Sequence, residues 1–240
     1  MSELPATVRI PAGLNGPATT ANGGVAAGTM ATLVDGPAEV RLSAPPPMAT
    51  DLDLATDGDW IVASHDGEQV IAVRPSAPPD VEVPTVDTSL VSDGVPFPDH
   101  PAVTCVVCGE DHPNGLRMFP APVPGRDDVL ATWWTPPAWA IDDTGHLRPD
   151  LLWGVLDCPG ALAIMHADED PVFAALAGIT GEVVAPVTEG ERVLVLGFTL
   201  EADGRKRGAG TAIIGEDGDL RAHTRQLCIA MPPAWARGEA

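Results

Sequence analysis

Two apolar segments without a charged face, residues 24–34 (GVAAGTMATLV) and 159–167 (PGALAIMHA), constrain this chain more than any other feature. An amphipathic helix can lie on a surface, but a helix that is apolar all round must be enclosed by protein. Each segment is followed by strand-like stretches, of which 38–44 and 221–231 alternate apolar and polar residues, the period of a half-buried strand. After the first come 38–44, 60–64 and 69–74, with a turn at Asp66-Gly67. After the second come 181–186, 192–200, 210–214 and 221–231, with turns at Asp203-Gly204 and Asp217-Gly218. Residues 114–122 and 129–136 open the second set, as 7–14 open the first. One enclosed helix with antiparallel strands curled round it, given twice, predicts a duplicated α+β chain. Asn22-Gly23-Gly24 marks the start of the first helix and Pro159-Gly160 that of the second.

Between the copies the composition changes. Seven prolines fall between Pro75 and Pro101, with scattered acidic side chains and few core candidates. This predicts an extended linker over 75–101, separating an N-terminal unit 1–74 from a C-terminal unit 102–240.

The chain has 45% apolar residues, enough to fold although 34 Asp+Glu face only 13 Lys+Arg, for a net charge of -21. Such a charge repels phosphate backbones and anionic membranes, and there is no basic domain to offset it, which argues against nucleic-acid and membrane partners. The longest apolar runs, 172–179 and 193–200, are strand-sized and well short of the roughly 20 residues that span a bilayer. The start, MSELPATVRI, lacks the basic cluster and apolar stretch of a secretory signal. Four cysteines in 240 residues are too few for a disulfide scaffold. The expectation is reduced thiols in a cytoplasmic protein.

Several motifs, taken in order, resemble a known family. They are Asn15-Gly16-Pro17, Asn22-Gly23-Gly24 opening an apolar helix, and Val40-Arg41-Leu42 with Pro45-Pro46-Pro47. Further on are Cys105-Val106-Val107-Cys108-Gly109 with Gly115-Leu116-Arg117, then Leu156-Asp157-Cys158-Pro159-Gly160 and Gly204-Arg205-Lys206-Arg207. Together they are similar to tandem hotdog-fold proteins of the acyl-CoA thioesterase superfamily. The resemblance implies a double hotdog, two curved antiparallel sheets each wrapped around a central apolar helix, joined so that each helix end faces the other half. It also implies hydrolysis of an acyl thioester of coenzyme A or of a carrier protein, with no cofactor beyond the coenzyme A of the substrate. Association of copies through the hotdog sheets is a further implication. Fold alone does not fix the reaction, and a non-catalytic acyl-thioester-binding protein or a dehydratase or hydratase remain alternatives.

The residues themselves support particular roles. A helix N-terminus carries unpaired N–H groups and about half a positive charge, so Gly23 and Gly24 are candidates to stabilise an oxyanion, with Gly160 their counterpart at the second helix. Pro159 donates no N–H, which makes the two sites unequal. Asn22 stands where many family members carry histidine and is the second catalytic candidate; the other reading makes it a helix cap. Asp157 matches the position where hotdog enzymes often place an acid, and is the candidate to activate water. Its competing reading is a structural carboxylate at a helix start. Arg205, Lys206 and Arg207 are the one place where three basic residues adjoin, a candidate clamp for coenzyme A phosphates or a charged hairpin that prevents edge pairing.

Cys105 and Cys108, with His100 and His112 nearby, have a zinc-like spacing, but there is no second such pair, and no bound metal is expected. Cys158 is read as a packed thiol, and Trp133, Trp134, Trp139 and Trp153 as core or tunnel wall. The hydratase signature is missing. Asp219 and His223 have a dehydratase-like spacing but sit on a strand-like segment.

Overall fold

The structure, a computed structural model, describes residues 4–239; the first three residues of the chain start and of unit 1–74, and the last of unit 102–240, lie outside the described residues. The N-terminal half contributes β1 (Thr7–Arg9), α1 (Gly23–Ala31), β2 (Ala38–Leu42), β3 (Asp51–Asp57), β4 (Trp60–His65) and β5 (Glu68–Pro75). The C-terminal half contributes β6 (Ala121–Val123), β7 (Arg126–Trp134), α2 (Pro149–Ala167), β8 (Phe173–Val183), β9 (Val193–Asp203), β10 (Lys206–Gly215), β11 (Leu220–Met231) and the short α3 (Pro233–Arg237).

Where the sequence predicts two sheets, the described strands form one antiparallel sheet in the order β1-β3-β4-β5-β2-β8-β11-β10-β9-β7-β6. The seam is the β2–β8 pair, in register from Ala38↔Gly181 to Arg41↔Gly178. Without it both strands would leave edges whose N–H and C=O groups lack partners, so joining the halves removes two edges at once.

α1 begins as the sequence predicts. Asn22 has extended backbone angles (φ -61, ψ 132) and its Oδ1 accepts the Val25 N–H at 2.9 Å. The helix packs on β2, β5, β8 and α2. α2 starts ten positions earlier than predicted, with Pro149 in its first turn, where a missing N–H costs nothing. Pro159 therefore lies inside a 19-residue helix rather than at its start. A neighbouring strand makes room for it. Gly197 on β9 leaves room for the Pro159 carbonyl and ring, which any Cβ there would strike. Beside the proline, the Leu156 carbonyl accepts hydrogen bonds from Thr224 Oγ1 (3.3 Å) and Gln226 Nε2 of β11. Residues 151–160 are buried throughout, against β7, β8, β9, β10 and β11.

The two helices touch through small residues. Gly24 and Gly28 of α1 approach Asp150, Trp153 and Gly154 of α2 so closely that a Cβ at either would meet α2 backbone at under 3 Å.

Pro75 still belongs to β5; residues 76–101 contain no strand and a single 3-10 turn, Thr88–Leu90. Contrary to the sequence reading they do supply core: Val81, Val83, Val86 and Val91 pack against Val123, Val129, Leu194, Leu196 and Phe198. Val193 and Val195, the alternate residues of β9, belong to the main core. Successive strand residues point to opposite faces, so this segment covers the outer face of the sheet. The predicted strand 114–122 is mostly loop, pinned by Leu116 N–H to Val106 O (2.6 Å) and Met118 N–H to Val107 O (3.0 Å). No described helix is long and apolar enough to cross a membrane.

Candidate active site

A cavity of about 240 Å³ lies where the halves meet. Its polar end is made by Asn22 and Gly23 at the start of α1, Asp157 and Cys158 on α2, and Cys105 and Cys108 on the loop between the halves. Its remaining wall is apolar, with Leu162, Phe173, Leu176, Ile229 and Trp235 among the lining side chains. The loop is held in place by Asn15, whose carbonyl accepts the Val106 N–H (2.8 Å) and whose Nδ2 donates to Thr104 O (2.8 Å). Within it the Gly109 N–H closes a turn onto Cys105 O at 2.9 Å, and a side chain at Gly109 would collide with the Cys105 backbone.

The bond that joins the halves at this point runs from the Gly24 N–H to Asp157 Oδ2, 2.8 Å long and buried. Asp157 is 5% exposed, so its carboxylate has lost nearly all its hydration. Burial pushes its pKa up to about 7; the Gly24 N–H opposes that shift, and negative charge at Cys105 adds to it. The sequence places Asp157 at a helix start, whereas it projects from the middle of α2 toward the start of α1. The helix dipole it meets is thus that of the other half.

Asn22 uses both ends of its amide. Oδ1 caps α1, while Nδ2 donates to Cys158 Sγ (3.3 Å) and Cys105 Sγ (3.5 Å). Of the first-turn donors, Gly24 is bonded to Asp157 and Val25 to Asn22. The Gly23 N–H has no hydrogen bond among the described residues, and Gly23 lines the cavity. Of the two predicted oxyanion donors, Gly24 is therefore engaged by the acid, and Gly23 is left unbonded. Gly160 is not part of the cavity wall; it lies within α2 against Gln226 of β11, so it cannot serve as a helix-start donor.

The basic triplet runs from the β9–β10 turn (Arg205) into the start of β10 (Lys206 and Arg207). Arg205 donates to Ala230 O (3.2 Å) and to Met231 Sδ (2.9 Å), and Met231 lines the cavity. Arg207 pairs with Asp168 just after α2, at 3.1 Å. No ion pair to Lys206 is found among the described residues. Arg205 and Lys206 are thus the members available to a ligand.

The cysteines hold what the sequence spacing could not reveal. Cys158 Sγ lies 3.8 Å from Cys105 Sγ, and the sulfurs of Cys105, Cys108 and Cys158 are all within 4.8 Å of one another. Cys105 is held well below the usual thiol range by hydrogen bonds from Cys108 and then Cys158, while Cys108 and Cys158 are raised. His100 Nε2 is 3.1 Å from Cys108 Sγ. His112 belongs elsewhere, bonded to Gly13 O. Among the tryptophans, Trp153 fills the helix contact, Trp134 donates to Leu116 O (2.9 Å) and Trp139 is exposed. The tryptophan in the cavity wall is Trp235 of α3. His223 of β11 pairs with Glu182 of β8 at 3.1 Å.

No model of a known family matches the chain, and no curated protein matches it in sequence. Solved structures do. A protein of Novosphingobium aromaticivorans provisionally assigned as a thioesterase superposes with a TM-score of 0.60 at 14% identity, over 95% of this chain and 99% of that one. A tesB protein of Mycobacterium avium subspecies paratuberculosis gives 0.58 at 13%, over 94% and 91%. The chain therefore shares the tandem hotdog fold of thioesterase-type structures over about 95% of its length.

Proposed function

We propose that the protein hydrolyses an acyl thioester, of coenzyme A or a related carrier, at the junction of its two halves. The observation that carries this reading is the buried Gly24 N–H to Asp157 Oδ2 bond, which sets a carboxylate from one half at the helix N-terminus of the other, beside an apolar cavity. The acyl chain lies along the apolar wall and its carbonyl oxygen against the Gly23 N–H. There the positive end of α1 favours the charge that develops as the carbonyl becomes tetrahedral.

Asp157, with a pKa near neutrality, takes a proton from a water that attacks the carbonyl carbon. The carbon–sulfur bond then breaks, the acid is released, and the leaving thiolate takes the proton held by Asp157, which restores the carboxylate. The step consumes one water and uses only groups of this chain. Arg205 and Lys206, at the rim near Met231, hold the phosphates of the carrier group.

One observation favours a second reading, a protein that shelters the thioester without turnover: Gly24 is already bonded to Asp157, leaving one first-turn donor for the oxyanion. Thiol release from a panel of short-, medium- and long-chain and aromatic acyl-CoAs distinguishes the two. Catalytic turnover of at least one member supports hydrolysis. Saturable binding with no release above the uncatalysed rate overturns it in favour of sheltering.

A further inference from the structure

We propose that Cys105, Cys108 and Cys158 together bind one zinc-type divalent ion through their sulfurs, at the polar end of the cavity. Thiolates at the tetrahedral Zn–S length of about 2.3 Å lie about 3.8 Å apart. The Cys105–Cys158 separation is 3.8 Å, and all three sulfurs fall within 4.8 Å of one another. The Cys105–Gly109 turn holds two of them on one short loop, and α2 supplies the third.

The groups around the sulfurs point the same way. Asn22 Nδ2 faces Cys105 and Cys158. The Ala102 N–H donates to His100 Nδ1 at 3.1 Å, so the proton of a neutral imidazole sits on Nε2, which then donates to Cys108 Sγ. His100 is thereby a donor to a ligand rather than a ligand. Each of the three sulfurs faces one N–H. A neutral thiol is a poor acceptor with its own hydrogen to place, whereas metal-bound thiolates are commonly steadied by such donors.

On coordination the three buried thiols give up their protons, the resulting negative charge is offset by the divalent cation, and an all-sulfur set selects a soft or borderline metal over calcium or magnesium. All three cysteines line the cavity, which leaves the fourth position to a group from that side. Cys228 is buried but stands outside the cluster.

The test needs no substrate and is independent of the hydrolytic reading. Full-length protein is prepared under reducing conditions without chelator and its zinc measured. Chelator-stripped protein is then titrated with Co²⁺, following thiolate-to-cobalt absorption in the near ultraviolet, for the wild type and for Cys105→Ser, Cys158→Ser and Cys228→Ser. We expect about one metal per chain and a saturable cobalt–thiolate band that Cys105→Ser and Cys158→Ser lose and Cys228→Ser keeps. If the two serine variants do not fold, the stripped wild type answers alone: its Tm rises by about 5–10 °C with Zn²⁺ at a hundred times its Kd. Absence of stoichiometric metal, of the cobalt band and of the Tm shift in fully reduced protein overturns the proposal. So does a Cys105–Cys158 disulfide found by peptide mapping in protein prepared without oxidant. Loss of the band in Cys228→Ser equal to that in Cys105→Ser places the metal elsewhere and overturns it too.

Discussion

Gly28→Ala separates the two physical effects that compete where α1 and α2 meet. In a helix with room for a methyl, alanine in place of glycine stabilises by about 1 kcal/mol. Here the added Cβ would lie 2.7 Å from Trp153 Cβ, 2.8 Å from Asp150 Cα and 2.9 Å from Pro149 O. Two of those atoms are backbone in the first turn of α2 and cannot swing aside, so the helices must separate along their shared length. Overpacking of this kind costs about 1–3 kcal/mol. With close contact to three atoms the upper part of that range applies, and it exceeds the propensity gain. The expected net loss is about 1–2 kcal/mol, a fall in Tm of about 2–8 °C for a chain of this size. Calorimetry or urea unfolding of the variant beside the wild type measures it. The Gly24–Asp157 bond lies one turn away and shifts with the helix, so thioester turnover falls as well. A rise in Tm of a few degrees would refute the reasoning, because propensity would then be acting with no steric opposition and α1 would not be seated against α2.

Two further outcomes follow from charged groups. Arg205→Ala combined with Lys206→Ala weakens binding of a coenzyme A ester and flattens its salt dependence; unchanged affinity removes these residues from the site. Glu39, on β2 beside the seam, is pushed up by burial but pulled further down by hydrogen bonds from Arg74 and Arg41, so its folded pKa lies below the ordinary 4.5. Its stabilising contribution is fully present above pH 4.5 and is lost as the pH falls through the lower folded value. The stability gap between wild type and Glu39→Gln is therefore constant from pH 6 to 8 and closes in acid; a gap that widens in acid contradicts this.

What the sequence reveals, and what it hides, has local causes. α1 is legible because Asn22 caps it and the residues after it are small and uncharged. β4, β7 and the long β9, β10 and β11 are legible as strand-length apolar or alternating runs bounded by turn residues. β3 is missed because its side chains include Asp51, Asp53 and Asp57 and only Leu52 is buried. The start of α2 is misread at Pro159, since a proline ordinarily ends or opens a helix. It is tolerated there because Gly197, from another strand, leaves room for its ring and carbonyl. That is tertiary information.

The same holds at the site. Asn22, Gly23 and Asp157 are each visible as candidates, yet that Asp157 bonds Gly24 across 133 positions is visible only once the sheet is closed. Cys105 and Cys108 look like an incomplete ligand pair until α2 brings Cys158 beside them. Gly160 looks like a second helix start until the helix turns out to have begun ten residues earlier. Trp235 gives no signal in sequence that sets it apart from Trp139, although one lines the cavity and the other faces solvent.

The most direct test of the hydrolytic account is kcat for the best acyl-CoA substrate with Asp157→Asn. The asparagine Oδ1 can still accept the Gly24 N–H, so the fold and the helix contact are kept while the base is removed. The account predicts a loss of about 10²–10⁴-fold in kcat, the usual contribution of a positioned general base, with substrate binding and Tm not reduced. A variant that turns over at the wild-type rate would contradict it.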